Sequence, residues 1–186
     1  MTSALRREVV TSSAAEAVAR AMRVHVLERS QHLPLSVEEV FPFYADAGNL
    51  EAITPPWLGF RVVGDGPVEM RAGAFIEYRL RLHGIPVSWR TRIAEWVPNE
   101  RFVDEQISGP YRLWHHTHTF ETAADGGTII RDRVRYQLPL GPLGAIAHLV
   151  LVRRDLAKVF EYRQAAVERL LLGPADPGAS TVRCGA

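Results

Sequence analysis

Apolar and polar side chains alternate in short runs through the middle of the chain, and toward its end the apolar positions move to a spacing of three and four. Period two puts alternate side chains on opposite faces of a β-strand, whereas the wider spacing gathers them on one side of a helix. The alternating runs predict strands over about 59–64, 74–83, 86–97, 101–107, 111–123 and 128–138. Turn residues separate them at Gly64-Asp65-Gly66-Pro67, Gly84, Pro98-Asn99, Ser108-Gly109-Pro110 and Asp125-Gly126-Gly127. Upstream, Val24 to Leu33 reads as a first strand that Pro34 ends. Ser36 then precedes Glu39 at the capping-box spacing, which predicts a short helix through Tyr44. Asp46 to Ile53 predicts a second, which Thr54-Pro55-Pro56 breaks.

The last element is a helix from about Leu143 to Leu172, stopped by Gly173-Pro174. Leu149, Val152, Leu156, Val159, Phe160, Val167 and Leu170 fall on one stripe of it, with Arg154, Lys158, Glu161, Glu168 and Arg169 opposite. At 1.5 Å per residue it spans roughly 40 Å, enough to cover one face of a sheet. The pattern therefore predicts an α+β fold. A curved antiparallel sheet of about seven strands wraps around the long C-terminal helix, with two short helices after the first strand. Curving the sheet leaves room between it and the helix.

Composition narrows the setting. With 186 residues, 47% hydrophobic and 23% charged, the chain suits one globular domain, placed at about 23–172. Residues 1–22 are Ala/Ser/Thr/Arg-rich and read as an extension without fixed structure, and 173–186 read as a flexible tail. A net charge of +1 without a basic cluster points away from nucleic acid. No apolar run reaches the ~18 residues of a membrane span. Arg6, Arg7, Glu8 and Glu16 interrupt any signal-peptide core. Cys184 is the single cysteine, which suits a reducing cytoplasm and excludes a thiolate metal cluster. Nothing in the chain sets an oligomeric state.

Candidate chemistry concentrates in Trp114-His115-His116-Thr117-His118-Thr119-Phe120. Read as a strand, this segment puts Trp114, His116, His118 and Phe120 on one face, a set that suits a half-polar cavity better than water. In Ile130-Arg131-Asp132-Arg133-Val134-Arg135-Tyr136 the alternating arginines must face solvent, so Ile130, Asp132, Val134 and Tyr136 face inward. A hairpin at Asp125-Gly126-Gly127 then sets His118 near Asp132 and His116 near Val134. Phe102, Asp104 and Gln106 share a face that the next short turn brings toward Trp114 and His116. A slip of one residue would exchange His116 for His115. Arg163 stands in the apolar stripe of the long helix, where burial of a lone guanidinium is costly, so it is expected to pair with Asp104 or Asp132. The candidate set is His116, His118, Asp104, Asp132, Gln106 and Arg163. Trp57, Tyr78, Trp89, Phe102, Trp114, Phe120, Tyr136 and Phe160 ring it.

The order of elements resembles the helix-grip domains of the SRPBCC superfamily, which includes birch-pollen-allergen-like, lipid-transfer and polyketide cyclase/dehydrase proteins. The resemblance covers about Val24 to Leu172. It is closest to bacterial ligand-binding members at Asn49-Leu50 through Thr54-Pro55-Pro56-Trp57, Trp89-Arg90-Thr91-Arg92-Ile93 and Phe102-Val103-Asp104-Glu105-Gln106. Further matches are Gly109-Pro110-Tyr111-Arg112-Leu113-Trp114-His115-His116 and Val152-Arg153-Arg154-Asp155-Leu156. The resemblance implies a cavity between sheet and long helix with its mouth near Asn49 to Trp57. It leaves the activity open, because members divide between carriers, sensors and enzymes.

Four uses of the polar set compete. It can be a satisfied structural network, the polar anchor of a cavity for a hydrophobic or aromatic small molecule, or a general acid and base set. The fourth is a two-histidine, one-carboxylate metal site. The glycine spacing and second histidine strand of a cupin are missing, so no metal is assigned. Neither a Gly-rich phosphate loop, a Ser/Cys nucleophile motif nor a flavin signature occurs, so no cofactor is expected. The reading adopted is binding of a hydrophobic or aromatic small molecule. A cofactor-independent cyclase/dehydratase-like enzyme with His116, His118, Asp132 and Asp104 as candidate catalytic groups is the runner-up. A protein-interaction module is a third class.

Overall fold

A computed structural model describes residues 23–64, 66, 68–139 and 151–173. Strand β1 (His25–Leu33) leads into helix α1 (Val37–Tyr44), helix α2 (Asn49–Ala52) and a 3-10 turn (Pro56–Leu58). Strands β2 (Arg61–Val63), β3 (Phe75–Leu82), β4 (Ile85–Val97), β5 (Arg101–Ser108), β6 (Leu113–Thr122) and β7 (Thr128–Gln137) follow, and helix α3 (Arg153–Leu172) ends the described chain. All strands join one antiparallel sheet in the order β1-β7-β6-β5-β4-β3-β2.

Local chemistry accounts for these elements. The capping box forms as the Ser36/Glu39 spacing predicts, with the Ser36 backbone N–H donating to Glu39 Oε2 at 2.9 Å. Val37, Val40, Phe41 and Tyr44 then fall on one buried side of α1. Between β3 and β4, His83 and Gly84 both take left-handed φ values, 51° and 82°. That is the backbone a two-residue hairpin needs to match strand twist. Irregular pairing of β4 with β5, between Arg90 and Thr91 and between Ile93 and Glu95, bends the sheet.

Helix α3 lies on the concave face and is tied to β1. Gln31 Nε2 donates to Gln164 O at 2.9 Å and to Glu168 Oε1 at 3.1 Å, and Gln164 Nε2 donates to Ser30 O at 3.1 Å. Leu156, Phe160, Ala166 and Val167 form its buried stripe. Two features differ from expectation. Leu170 is 47% exposed, and its neighbour Leu171 together with the smaller Ala166 packs against the core instead. Strand β2 and helix α2 are shorter than predicted, since Thr54-Pro55-Pro56 feeds a 3-10 turn that uses up the intervening chain. Leu149, the proposed start of the long helix at Leu143, the 1–22 extension and nearly all of the 173–186 tail lie outside the described residues.

Candidate functional site

Strand pairing assembles the site. β6 and β7 set His118 opposite Asp132 and His116 opposite Val134, in the predicted register, while β5 and β6 set Phe102 opposite His118 and Asp104 opposite His116. Four ionisable side chains thus meet on the inward face. Each imidazole reaches both carboxylates. His116 Nε2 lies 3.0 Å from Asp132 Oδ1 and its Nδ1 lies 3.3 Å from Asp104 Oδ2. His118 Nδ1 lies 2.8 Å from Asp132 Oδ1 and its Nε2 lies 3.2 Å from Asp104 Oδ2. The bonds His116 to Asp132 and His118 to Asp104 are well directed, whereas His118 Nδ1 is close to Asp132 without hydrogen-bond alignment. The sequence placed Asp132 beside His118. In the fold both acids are shared by both rings, whose centroids are 3.7 Å apart.

Burial sharpens the electrostatics. His116, His118 and Asp132 are buried, and Asp104 keeps 16% of its side chain open, on the cavity wall. Desolvation alone would raise the Asp104 carboxyl. The charge of His116, hydrogen bonds from both imidazoles and the charge of His118 outweigh it and hold Asp104 well below the carboxylate range. Asp132 is held down in the same way against its own desolvation, with the charge of His118 foremost. For His116, burial disfavours the imidazolium, but the charge of Asp104 and the bonds to both acids raise its pKa above 6.5. Such a cluster stores protons beside a cavity and can pass them to a bound molecule. Asp104, His116 and His118 also each present one ligand atom within 4.8 Å of the others, a donor set that would suit a borderline transition ion.

The cluster forms part of the wall of a cavity of about 480 Å³ between sheet, α3 and the α1–β2 connection. Predicted aromatics Tyr78, Trp89, Trp114, Phe102 and Phe160 line it. Phe102 stacks on His118 at 4.2 Å, and Phe160 approaches His116 edge-on at 5.5 Å. Trp57 also lines the cavity, 59% exposed, and its ring meets Tyr162 of α3 edge-on at 5.7 Å. Three predicted members are used elsewhere. Phe120 packs against Phe41 and Tyr44, each at 5.1 Å, in the core beneath α1. Tyr136 belongs to a second core cluster with Val134, Leu156 and Phe160. Gln106 spends its amide on the turn into β6, donating to Tyr111 O at 2.6 Å and accepting from Tyr111 N at 3.2 Å.

The expected ion pair of Arg163 does not form. Among the described residues no carboxylate lies within salt-bridge distance of it, because the two inward acids are already held by the imidazoles. Arg163 instead lines the cavity with its guanidinium 5.2 Å over the Phe160 ring. Its Nε is buried without an acceptor. Burial raises the phenols of Tyr44 and Tyr78, and the charge of Arg163 pulls both down more weakly.

Sequence reasoning missed Tyr44, Phe60 and Tyr111 as wall residues. Phe60 lies 4.7 Å from Tyr78, and Tyr111 5.4 Å from Trp89, so both extend the aromatic wall. Tyr44 carried a signal, the helical spacing from Val37 through Val40 and Phe41. Phe60 and Tyr111 fall within the strands expected at 59–64 and 111–123, but in the fold they precede β2 and β6, so strand alternation does not set the faces they take. At one end of the cavity His83 Nε2 meets Asp155 Oδ2 at 2.8 Å, joining the β3–β4 hairpin tip to α3.

Known proteins share this architecture. No curated protein matches the chain. TTHA0849 from Thermus thermophilus superposes with a TM-score of 0.61 at 19% identity, over 82% of this chain and 100% of that one. The Zhui aromatase/cyclase from Streptomyces sp. R1128 gives 0.58 at 15% identity, over 80% and 96%. A nucleoside-diphosphate sugar epimerase from Corynebacterium glutamicum gives 0.57 at 25% identity, over 76% of this chain but 28% of that one. Likeness at such identities establishes the helix-grip fold. The model of one family, described as polyketide cyclase / dehydrase and lipid transport, matches residues 33–161, from the last residue of β1 into the first half of α3, and so takes in strands β2 to β7 and the start of the helix that encloses the cavity. The chain belongs to that family.

Proposed function

We propose that this protein binds a hydrophobic or aromatic small molecule between the sheet and α3. The observation that carries the reading is the 480 Å³ cavity itself, walled by Tyr78, Trp89, Trp114, Phe102 and Phe160 and bearing a polar cluster on one side. Its size falls within the range of small-molecule sites, and an apolar wall with few polar groups is their usual composition. No helix among the described residues is long and apolar enough to cross a membrane. We further propose a cytoplasmic location, a reading supported by the single cysteine of the sequence, with neither nucleic acid nor a cofactor as partner.

The test is a titration with N-phenyl-1-naphthylamine, a neutral apolar fluorophore. One saturable site, with quenching of tryptophan emission, is expected from an aromatic wall, and native mass spectrometry of the purified protein should show a copurified small molecule. Unsaturable binding with unchanged tryptophan emission would reject the reading.

The His116/His118/Asp104/Asp132 cluster favours a second reading, a cyclase/dehydratase-like enzyme that moves protons on a bound carbonyl compound. His116→Gln and His118→Gln would then abolish turnover and leave affinity largely intact, since glutamine hydrogen-bonds but does not cycle a proton. For a carrier these changes would alter affinity alone.

A further inference from the structure

Arg163 supplies an observation that the aromatic wall does not explain. Its guanidinium lines the cavity and rests over the Phe160 ring at 5.2 Å, so one flat face is covered and the N–H edge remains. None of its five donors meets an acceptor among the described residues, and Nε is closed off from solvent. Other charged side chains on the wall have partners or reach water. Asp104 is held by His116 and His118, Asp155 by His83, and Asp46 accepts from Gly48 N at 2.8 Å. Arg81 is exposed. A permanently charged, weakly hydrated fork is therefore left facing an apolar space without a counter-charge.

We propose that the ligand carries an anionic oxygen group, a carboxylate or another resonance-stabilised oxyanion, that pairs with Arg163 while its aromatic body lies along the wall toward Trp89. This deepens the small-molecule reading and rests on it. Two features make the site selective. Both inward carboxylates are hydrogen-bonded to imidazoles and so already engaged, and the guanidinium repels a cation. The planar fork matches two oxygens at once, which favours a carboxylate over a single neutral acceptor.

A matched pair of probes tests the inference. 8-Anilinonaphthalene-1-sulfonate and N-phenyl-1-naphthylamine share one aromatic body and differ by the sulfonate. Wild type should bind the sulfonate more tightly by about tenfold or more, the factor that a hydrogen-bonded charge typically adds. Arg163→Met should bring the two affinities to within about threefold, mainly by weakening the anionic probe. Arg133→Gln, on the exposed outer face of the sheet, should leave the preference unchanged. Should the Arg163 variant not fold, wild type alone decides: 1-naphthaleneacetic acid should displace the neutral probe at a concentration about tenfold or more below that of its methyl ester. Equal affinity for both probes in wild type, or a preference that survives Arg163→Met, would overturn the anion inference and leave the cavity reading standing. Saturable binding of neither probe would reject the cavity reading itself.

Discussion

Asp132→Asn probes the cluster at the point where its members converge. Asp132 is 7% exposed, and one oxygen, Oδ1, lies 3.0 Å from His116 Nε2 and 2.8 Å from His118 Nδ1. Asparagine keeps the shape and removes the charge. At about pH 5.5 the variant holds the His116 imidazolium against Asp104 alone, and losing the second carboxylate costs up to the ~3–5 kcal/mol typical of a broken buried pair. At about pH 8 the variant's imidazole can shed its proton, and the remaining cost is that of imperfectly satisfied polar groups, ~1–3 kcal/mol. Linkage gives the same sign. The folded pKa of His116 is raised above 6.5, so its stabilisation is complete below that value and is lost as pH rises through the folded value. Removing Asp132 removes part of the cause, so wild type loses stability on the alkaline side and the variant loses less. Each pH unit between the two folded values contributes at most about 1.4 kcal/mol to this narrowing. Asp132 itself, held well below the carboxylate range, does not titrate in this window. Urea unfolding followed by tryptophan emission at the two pH values reads both losses. An equal loss at both, or a larger one at the higher pH, would refute the charge assignment in the cluster.

Three further outcomes follow from the same geometry. Arg163→Leu should cost less than about 1 kcal/mol in the ligand-free protein, against the ~3–5 kcal/mol of a broken buried pair, and urea unfolding separates the two. Trp114→Ala should weaken the neutral fluorophore by ~1–3 kcal/mol in a fluorescence titration, because the indole lines the cavity edge-on to Trp89 at 5.2 Å. Asp104 and Asp132 both lie below their ordinary 3.8, so their stabilisation is present above that pH and is lost only as pH falls through the depressed values. The acid-unfolding midpoint should therefore move to higher pH in His116→Gln; an unmoved midpoint by circular dichroism would show that the imidazole does not hold the acids ionised.

Much of the site was legible because side-chain direction in a strand is local. The arginines at 131, 133 and 135 force Asp132 and Val134 inward, and a turn of the right parity carries that assignment across to His116 and His118. Asp104 follows from the next turn. Other placements failed for identifiable reasons. Gln106 has the inward parity, yet it lies beside the Ser108-Gly109-Pro110 turn, where unpaired Tyr111 backbone groups compete for its amide. Phe120 and Tyr136 do face inward, but toward α1 and the α3 stripe, where the layers meet without a gap.

What the sequence determined by itself is the order of elements, the inward faces of the strands and the identity of the polar groups on them, since these depend on backbone periodicity and on turns of a few residues. Tertiary structure decided which of those groups touch. Arg163 was expected against an acid because its helix phase points inward and lone buried charge is costly. Where α3 comes to rest, however, depends on the bend of the sheet and on its contacts with β1, more than a hundred residues away in sequence. With the imidazoles already between the two carboxylates, the guanidinium meets no acid and faces the cavity. Periodicity fixes direction, but distance across a curved layer is set by packing of the whole domain, and the difference between a paired structural arginine and one left for a ligand is a matter of distance.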